Sequence, residues 1–129
     1  MESAREKRAW SVVKRARSFA HAIRGIKVFL GTTPNVWIHI LAMLVVVALG
    51  FYFEVSILEW LILVLTIGFV VAAEAFNTAI EIDIDLTSPE YHPYARDTKD
   101  VAAGAVLISA IVSVIVGLII FLPKILSIF

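Results

Sequence analysis

The chain has 129 residues, of which 60% are hydrophobic and only 17% charged, whereas soluble domains run at roughly 45–50% apolar and about 25% charged. With a mean hydropathy of +0.93, that excludes an ordinary water-soluble domain and predicts one small all-α integral membrane domain over residues 1–129, with no room for a second. Net charge is zero and cysteine is absent, which excludes disulfide frameworks and thiolate metal sites.

Residues 1–9 read as a mobile polar start, with no cleavable signal peptide apparent. From about 10 to 30 the apolar residues Trp10, Val13, Phe19, Ile23, Ile26 and Leu30 recur mainly at three- and four-residue intervals, with basic residues between them. That pattern predicts an amphipathic helix lying on an anionic leaflet. The same basic residues without interleaved exposed aromatics, next to a membrane span, argue against nucleic acid.

Gly31-Thr32-Thr33-Pro34-Asn35 breaks this helix, since proline lacks the backbone donor and disfavours helix before it. Residues 36–53 carry no formal charge and form the first expected span. A short turn bears Glu54 and Glu59, read as solvated, and Trp37 and Trp60 read as interfacial anchors. His39 reads as a hydrogen-bonded packing residue, because bare polar groups in lipid are costly. The second span runs over about 56–84, and residues 86–96, with Pro89 and Pro93, read as a loop. The third is expected over 98–122, with Asp97 as N-cap and Asp100 three residues on. Its uncharged run is long enough for a hydrocarbon core of about 30 Å, and Pro123 and Lys124 close it. Ala105, Ser109, Ser113 and Gly117 make a small-residue packing stripe. Ten of the eleven Lys and Arg lie in the N-terminal helix and the second loop. That distribution predicts a multi-pass protein with its N-terminus and second loop cytoplasmic.

The chemistry concentrates in EAFNTAIEIDID, residues 74–85. At roughly 100° per residue, Glu74, Asn77, Glu81 and Asp85 fall within an arc of about 80°, and Asp83 points away. Ionisable groups within spans are functional candidates, although a helix end with solvated acids gives the same string. One carboxylate can take a hydroxyl proton and another can hold a divalent cation. A lysine beside exposed amides at a helix start, as Lys99 is expected to be, can receive phosphate oxygens. Phosphoryl transfer needs little beyond positioning, a metal and charge neutralisation. No Walker loop, protein-kinase motif or dinucleotide fingerprint occurs.

EAFNTAIEIDID followed by YHPYARDTKDVAAGAVL resembles the small bacterial membrane-embedded lipid kinases, the diacylglycerol kinase and undecaprenol kinase family. The resemblance runs from about Trp10 to Lys124, and NVWIH with GLIIFLPK brings it closer to the Gram-positive, undecaprenol kinase-like branch. It implies a surface helix and three spans in a homotrimer of the inner membrane, with active sites shared between subunits. It also implies ATP and magnesium as cofactors and a membrane lipid alcohol as substrate. By matching position, Glu74 resembles the family's catalytic base, Asn77 its supporting amide, Glu81 its metal-binding carboxylate and Lys99 its contact to the ATP phosphates. Asp100, Lys14, Arg17, Glu90, Tyr91 and His92 match positions near the nucleotide.

One position departs from the family. Thr33 stands where a second metal-binding glutamate is usual, and a neutral hydroxyl is a poorer ligand for a hard cation. That departure motivates a second reading, a non-catalytic membrane assembly protein that keeps the fold, and the carboxylates by themselves allow a third, a small proton or cation pathway through Glu74 and Glu81.

Overall fold

The computed structural model describes residues 4–33 and 36–129, with side chains from Trp10 onward. Pro34 and Asn35, expected to break the first two elements, lie outside the described residues, as do residues 1–3. Four helices follow in order: α1 Ala4–Thr32, α2 Val36–Tyr52, α3 Ile57–Thr87 and α4 Pro93–Leu126. The chain divides into two compact units, α1 and the remainder from Thr33.

α1 begins at Ala4 rather than Trp10, so most of the expected polar lead-in is helical. Ala, Arg, Glu and Lys, which fill residues 4–9, are the strongest helix formers. Trp10, Val13, Phe19, Ile23, Ile26 and Leu30 are exposed along it, so two exposed aromatics do stand among its basic residues, contrary to the expectation from sequence.

In the second unit α3 and α4 form an antiparallel pair, tied at both ends. Lys99 Nζ meets Asp85 Oδ1 at 2.6 Å at one end, and Lys124 Nζ meets Glu59 Oε1 at 3.1 Å at the other. Glu59 is thus no mere solvated turn residue. It lies in the first turn of α3, where Ser56 Oγ accepts from its backbone N–H and its Oε2 accepts from the N–H of Ser56. That reciprocal pair is a capping box. Glu54, by contrast, is exposed and adopts φ 48°. Its N–H donates to Phe51 O and that of Val55 to Gly50 O, the paired bonds of a Schellman ending to α2.

Val55, Leu63, Ile120 and Phe121 are buried at this end, with Leu49, Phe53 and Trp60 packed on them. The Trp60 ring lies so near Gly50 that a Cβ there would stand 2.6 Å from Cη2. Away from this small core most large apolar side chains of α2, α3 and α4 face outward. The pattern inverts that of a soluble protein and suits a hydrocarbon solvent. Among the described residues α3 and α4 are each long and apolar enough to cross a membrane, and α2, at 17 residues, meets the short end of spanning length.

Two boundaries of α4 differ from expectation. It starts at Pro93, with His92 as N-cap accepting through Nδ1 from the N–H of Tyr94. Proline at the first helical position is pre-set for helix and loses no needed donor, so Pro93 opens the element instead of extending the loop. Asp97 is therefore inside the helix and caps nothing. At the other end the helix passes through Pro123 to Leu126. A proline so near the end removes one backbone bond and leaves the last carbonyls to Ser127 and Ile128. The small-residue stripe splits: Ser109 is fully buried, Ser113 and Gly117 are half-buried, and Ala105 is exposed.

Candidate active site

The face of α3 from Glu74 to Asp85 runs from buried to exposed in three turns. Glu74 is 7% exposed, Asn77 and Glu81 are half-buried, and Asp85 is open to solvent. Each rung has a partner. Oε1 of Glu74 lies 2.7 Å from Nε2 of His39 on α2. Thr78, buried one turn along, shares a 2.8 Å hydroxyl–hydroxyl bond with Thr33. The Asn77 amide donates to Oε1 of Glu81 at 3.0 Å, and Asp85 receives Lys99. The acid ladder and the lysine of α4 therefore do meet, at the Asp85 rung.

Lys99 and Asp100 do not stand at the start of α4. With the helix opening at Pro93, Lys99 projects from its second turn, beyond the first-turn amides, of which that of Tyr94 donates to His92 Nδ1. The loop between α3 and α4, with the adjoining ends of both helices, shapes a basin of about 290 Å3. Asp85, Glu90, Tyr91, His92, Lys99 and Asp100 line it, so five of the expected nucleotide-side residues share one cavity. Arg96 lines it too, donating to Oδ1 of Asp97 at 3.0 Å and to the Tyr91 hydroxyl at 3.4 Å. Lys14 and Arg17 belong to the α1 unit, where Lys14 Nζ lies 5.8 Å from the Trp10 ring centroid.

A second hollow, about 150 Å3, opens among α2, α3 and α4. His39, Met43, Leu63, Val70, Ser113 and Gly117 are among its walls, which are almost wholly apolar. Part of the small-residue stripe thus borders open space as well as packing.

Among the described residues no three His, Asp or Glu side chains converge as a metal cage. The donor set nonetheless fits a hard cation that keeps waters and phosphate oxygens, which needs only one or two protein carboxylates. Glu81 supplies one, and beside it the Asn77 Oδ1 is buried with no hydrogen-bond partner among the described residues. An unpaired buried acceptor is a seat for a cation or a bound water.

Three participants were not singled out from the sequence: the bond partner Glu74 for His39, the Thr33–Thr78 pair, and Arg96. The signal for His39 was present, since a polar group in an uncharged span must find a partner. Which partner depends on the register of α2 against α3, which one sequence does not display.

The sequence profile described as prokaryotic diacylglycerol kinase matches residues 20–121. The undecaprenol kinase of Bacillus subtilis (strain 168) is 47% identical over 108 residues, 84% of this chain and 88% of its own length. The diacylglycerol kinase of Synechocystis sp. is 37% identical over 123 residues, covering 94% and 70% of the two chains. That of Escherichia coli (strain K12) is 34% identical over 74 residues, covering 57% and 61%.

Proposed function

The chain belongs to the prokaryotic diacylglycerol kinase family, and from that premise we propose that this lipid kinase transfers the γ-phosphoryl group of ATP to a membrane lipid alcohol. Undecaprenol is the favoured acceptor and diacylglycerol the next. The 47% match to an undecaprenol kinase over most of both chains supports that order.

One observation carries the reading: a single helix face joins a buried carboxylate, Glu74, to the rim where Lys99 overhangs a polar basin. A buried carboxylate beside apolar space suits a base for an alcohol that arrives in lipid. In the reaction Glu74 takes the hydroxyl proton, the alkoxide oxygen bonds to the γ-phosphorus, and the bond to the β-phosphate oxygen breaks to release ADP. Lys99 neutralises phosphate charge, with Asp85 holding its ammonium over the basin and Asp100 beside it. Tyr91 and His92 offer ring faces for adenine at the basin wall, and Glu90 borders it. Glu81, with the Asn77 amide beside it, would hold magnesium, whose charge offsets that of the triphosphate.

Residues 1–129 act in this reading as one membrane-embedded domain, with α1 on the surface and α2, α3 and α4 as three crossings. The excess of Lys and Arg on α1 and near the α3–α4 loop supports a cytoplasmic N-terminus in the inner membrane, the side on which ATP is found. The working form is a homotrimer with shared sites.

Purified chain in mixed micelles, given labelled ATP, magnesium and a panel of undecaprenol, diacylglycerol and a saturated long-chain alcohol, should phosphorylate undecaprenol best. Glu74→Gln should lower the rate by roughly 10²–10⁴-fold, the range for positioned acid–base catalysis. No transfer to any lipid alcohol would end the reading, and an unaffected Glu74→Gln would remove Glu74 from its role.

A further inference from the structure

A glutamate side chain has three rotatable bonds, and Glu74 lies in a helix whose surroundings are largely apolar. Without a partner a buried carboxylate there is costly. The partner is His39, the imidazole of an α2 that carries no charged residue. We infer that His39 is a positioning residue for the transfer: it holds Oε1 of Glu74 and thereby presents Oε2 to the acceptor hydroxyl.

The inference rests on the reading of Glu74 as the base. Its geometry is direct, at 2.7 Å between Nε2 and Oε1, and among the described residues His39 is the sole cationic-type group within ion-pair distance of Glu74. The two sides of the pair differ in access. The Glu74 side chain is 9% exposed and that of His39 is 32%, because the imidazole also lines the apolar crevice. His39 thus touches both the carboxylate and the apolar hollow, which Glu74 itself does not line. A proton on Nε2 serves an anionic Glu74, since a neutral imidazole can donate through one nitrogen only. One carboxylate oxygen of Glu74 then keeps a fixed direction, and the other is left for the acceptor.

The test is a double-mutant cycle on the full chain, with steady-state kinetics in both substrates. His39→Leu removes the donor, and its kcat should fall about 10²-fold, the scale of a small misplacement of a reacting group, with KM for ATP unchanged. His39→Gln, whose amide nitrogen reaches the same point, should keep most of the activity. In the Glu74→Gln background His39→Leu should add little further loss, as expected when one residue acts through another. Losses that multiply in the double variant would overturn the inference while leaving Glu74 as the base. His39→Gln as impaired as His39→Leu, with KM raised for both substrates, would also overturn it by making His39 a packing residue. Full activity in Glu74→Gln alone would remove the base reading, and the inference with it.

Discussion

Lys99 and Asp85 are joined at 2.6 Å with both side chains substantially exposed, and an exposed, water-screened pair of this kind stabilises a fold only slightly. Stability is thus a poor reason for the pair, and direction is a better one: the carboxylate fixes where the ammonium stands over the basin. Lys99→Met should leave thermal unfolding in detergent nearly unchanged. It should also lower kcat about 10²-fold, the worth of one group stabilising developing charge, and raise KM for ATP. Equal activity in Lys99→Met would detach the lysine from the phosphates. Thr33 makes the opposite case. Its hydroxyl is buried and engaged by Thr78, so this chain has used the position for a neutral contact. Thr33→Glu supplies a carboxylate at that point, and the magnesium concentration for half-maximal activity should drop. A titration curve that does not move would mean that Glu81 and phosphate oxygens suffice.

Helix by helix, the elements follow from composition where charge is absent and from local chemistry where it is not. The uncharged runs in α2, α3 and α4 were legible because hydrocarbon demands them. The face bearing Glu74, Asn77, Glu81 and Asp85 was legible because helical spacing fixes it. The start of α4 was not, since Pro93 serves equally as a loop residue or as a first helical residue. The bond that the Tyr94 N–H donates to His92 Nδ1 decides between them. Pairings between helices were hidden for another reason: Glu59 with Lys124 and His39 with Glu74 depend on how far one helix slides along another. Gly50 belongs to the same category. The Trp60 ring occupies the space of its missing side chain, with Cη2 and Cζ2 at 2.6 and 2.8 Å from an added Cβ. Gly50→Ala should force that ring from the core and destabilise by about 1–3 kcal/mol, the usual range for overpacking. Thermal unfolding in detergent would register it, and a midpoint equal to the parent's would show that the ring moves freely.

At the scale of the molecule, the distance between the two ends of the acid face becomes decisive. Glu74 and Asp85 are separated by eleven residues of one helix, or about 16 Å at 1.5 Å per residue. Lys99 is tied to the Asp85 end, so in one chain the proposed base and the lysine lie at opposite ends of that interval. The attacking oxygen and the γ-phosphorus of a phosphoryl transfer must come within about 3–3.5 Å, so a base on the first and a lysine on the phosphate oxygens have to stand close to that one point. Asp85 would have to release Lys99, or a second subunit would have to bring its own lysine to the first subunit's Glu74. The outward apolar faces of α2, α3 and α4 leave ample surface for such a neighbour, in keeping with the proposed homotrimer. Mixing inactive subunits separates the two possibilities. Glu74→Gln and Lys99→Met chains, each nearly silent alone, are co-expressed, purified together through different affinity tags and assayed with ATP and the lipid alcohol. A site shared between subunits pairs the intact Glu74 of one variant with the intact Lys99 of the other, and activity returns to a substantial fraction of the parent's. A site built within one chain has one lesion in every copy, and the mixture stays as inactive as its components.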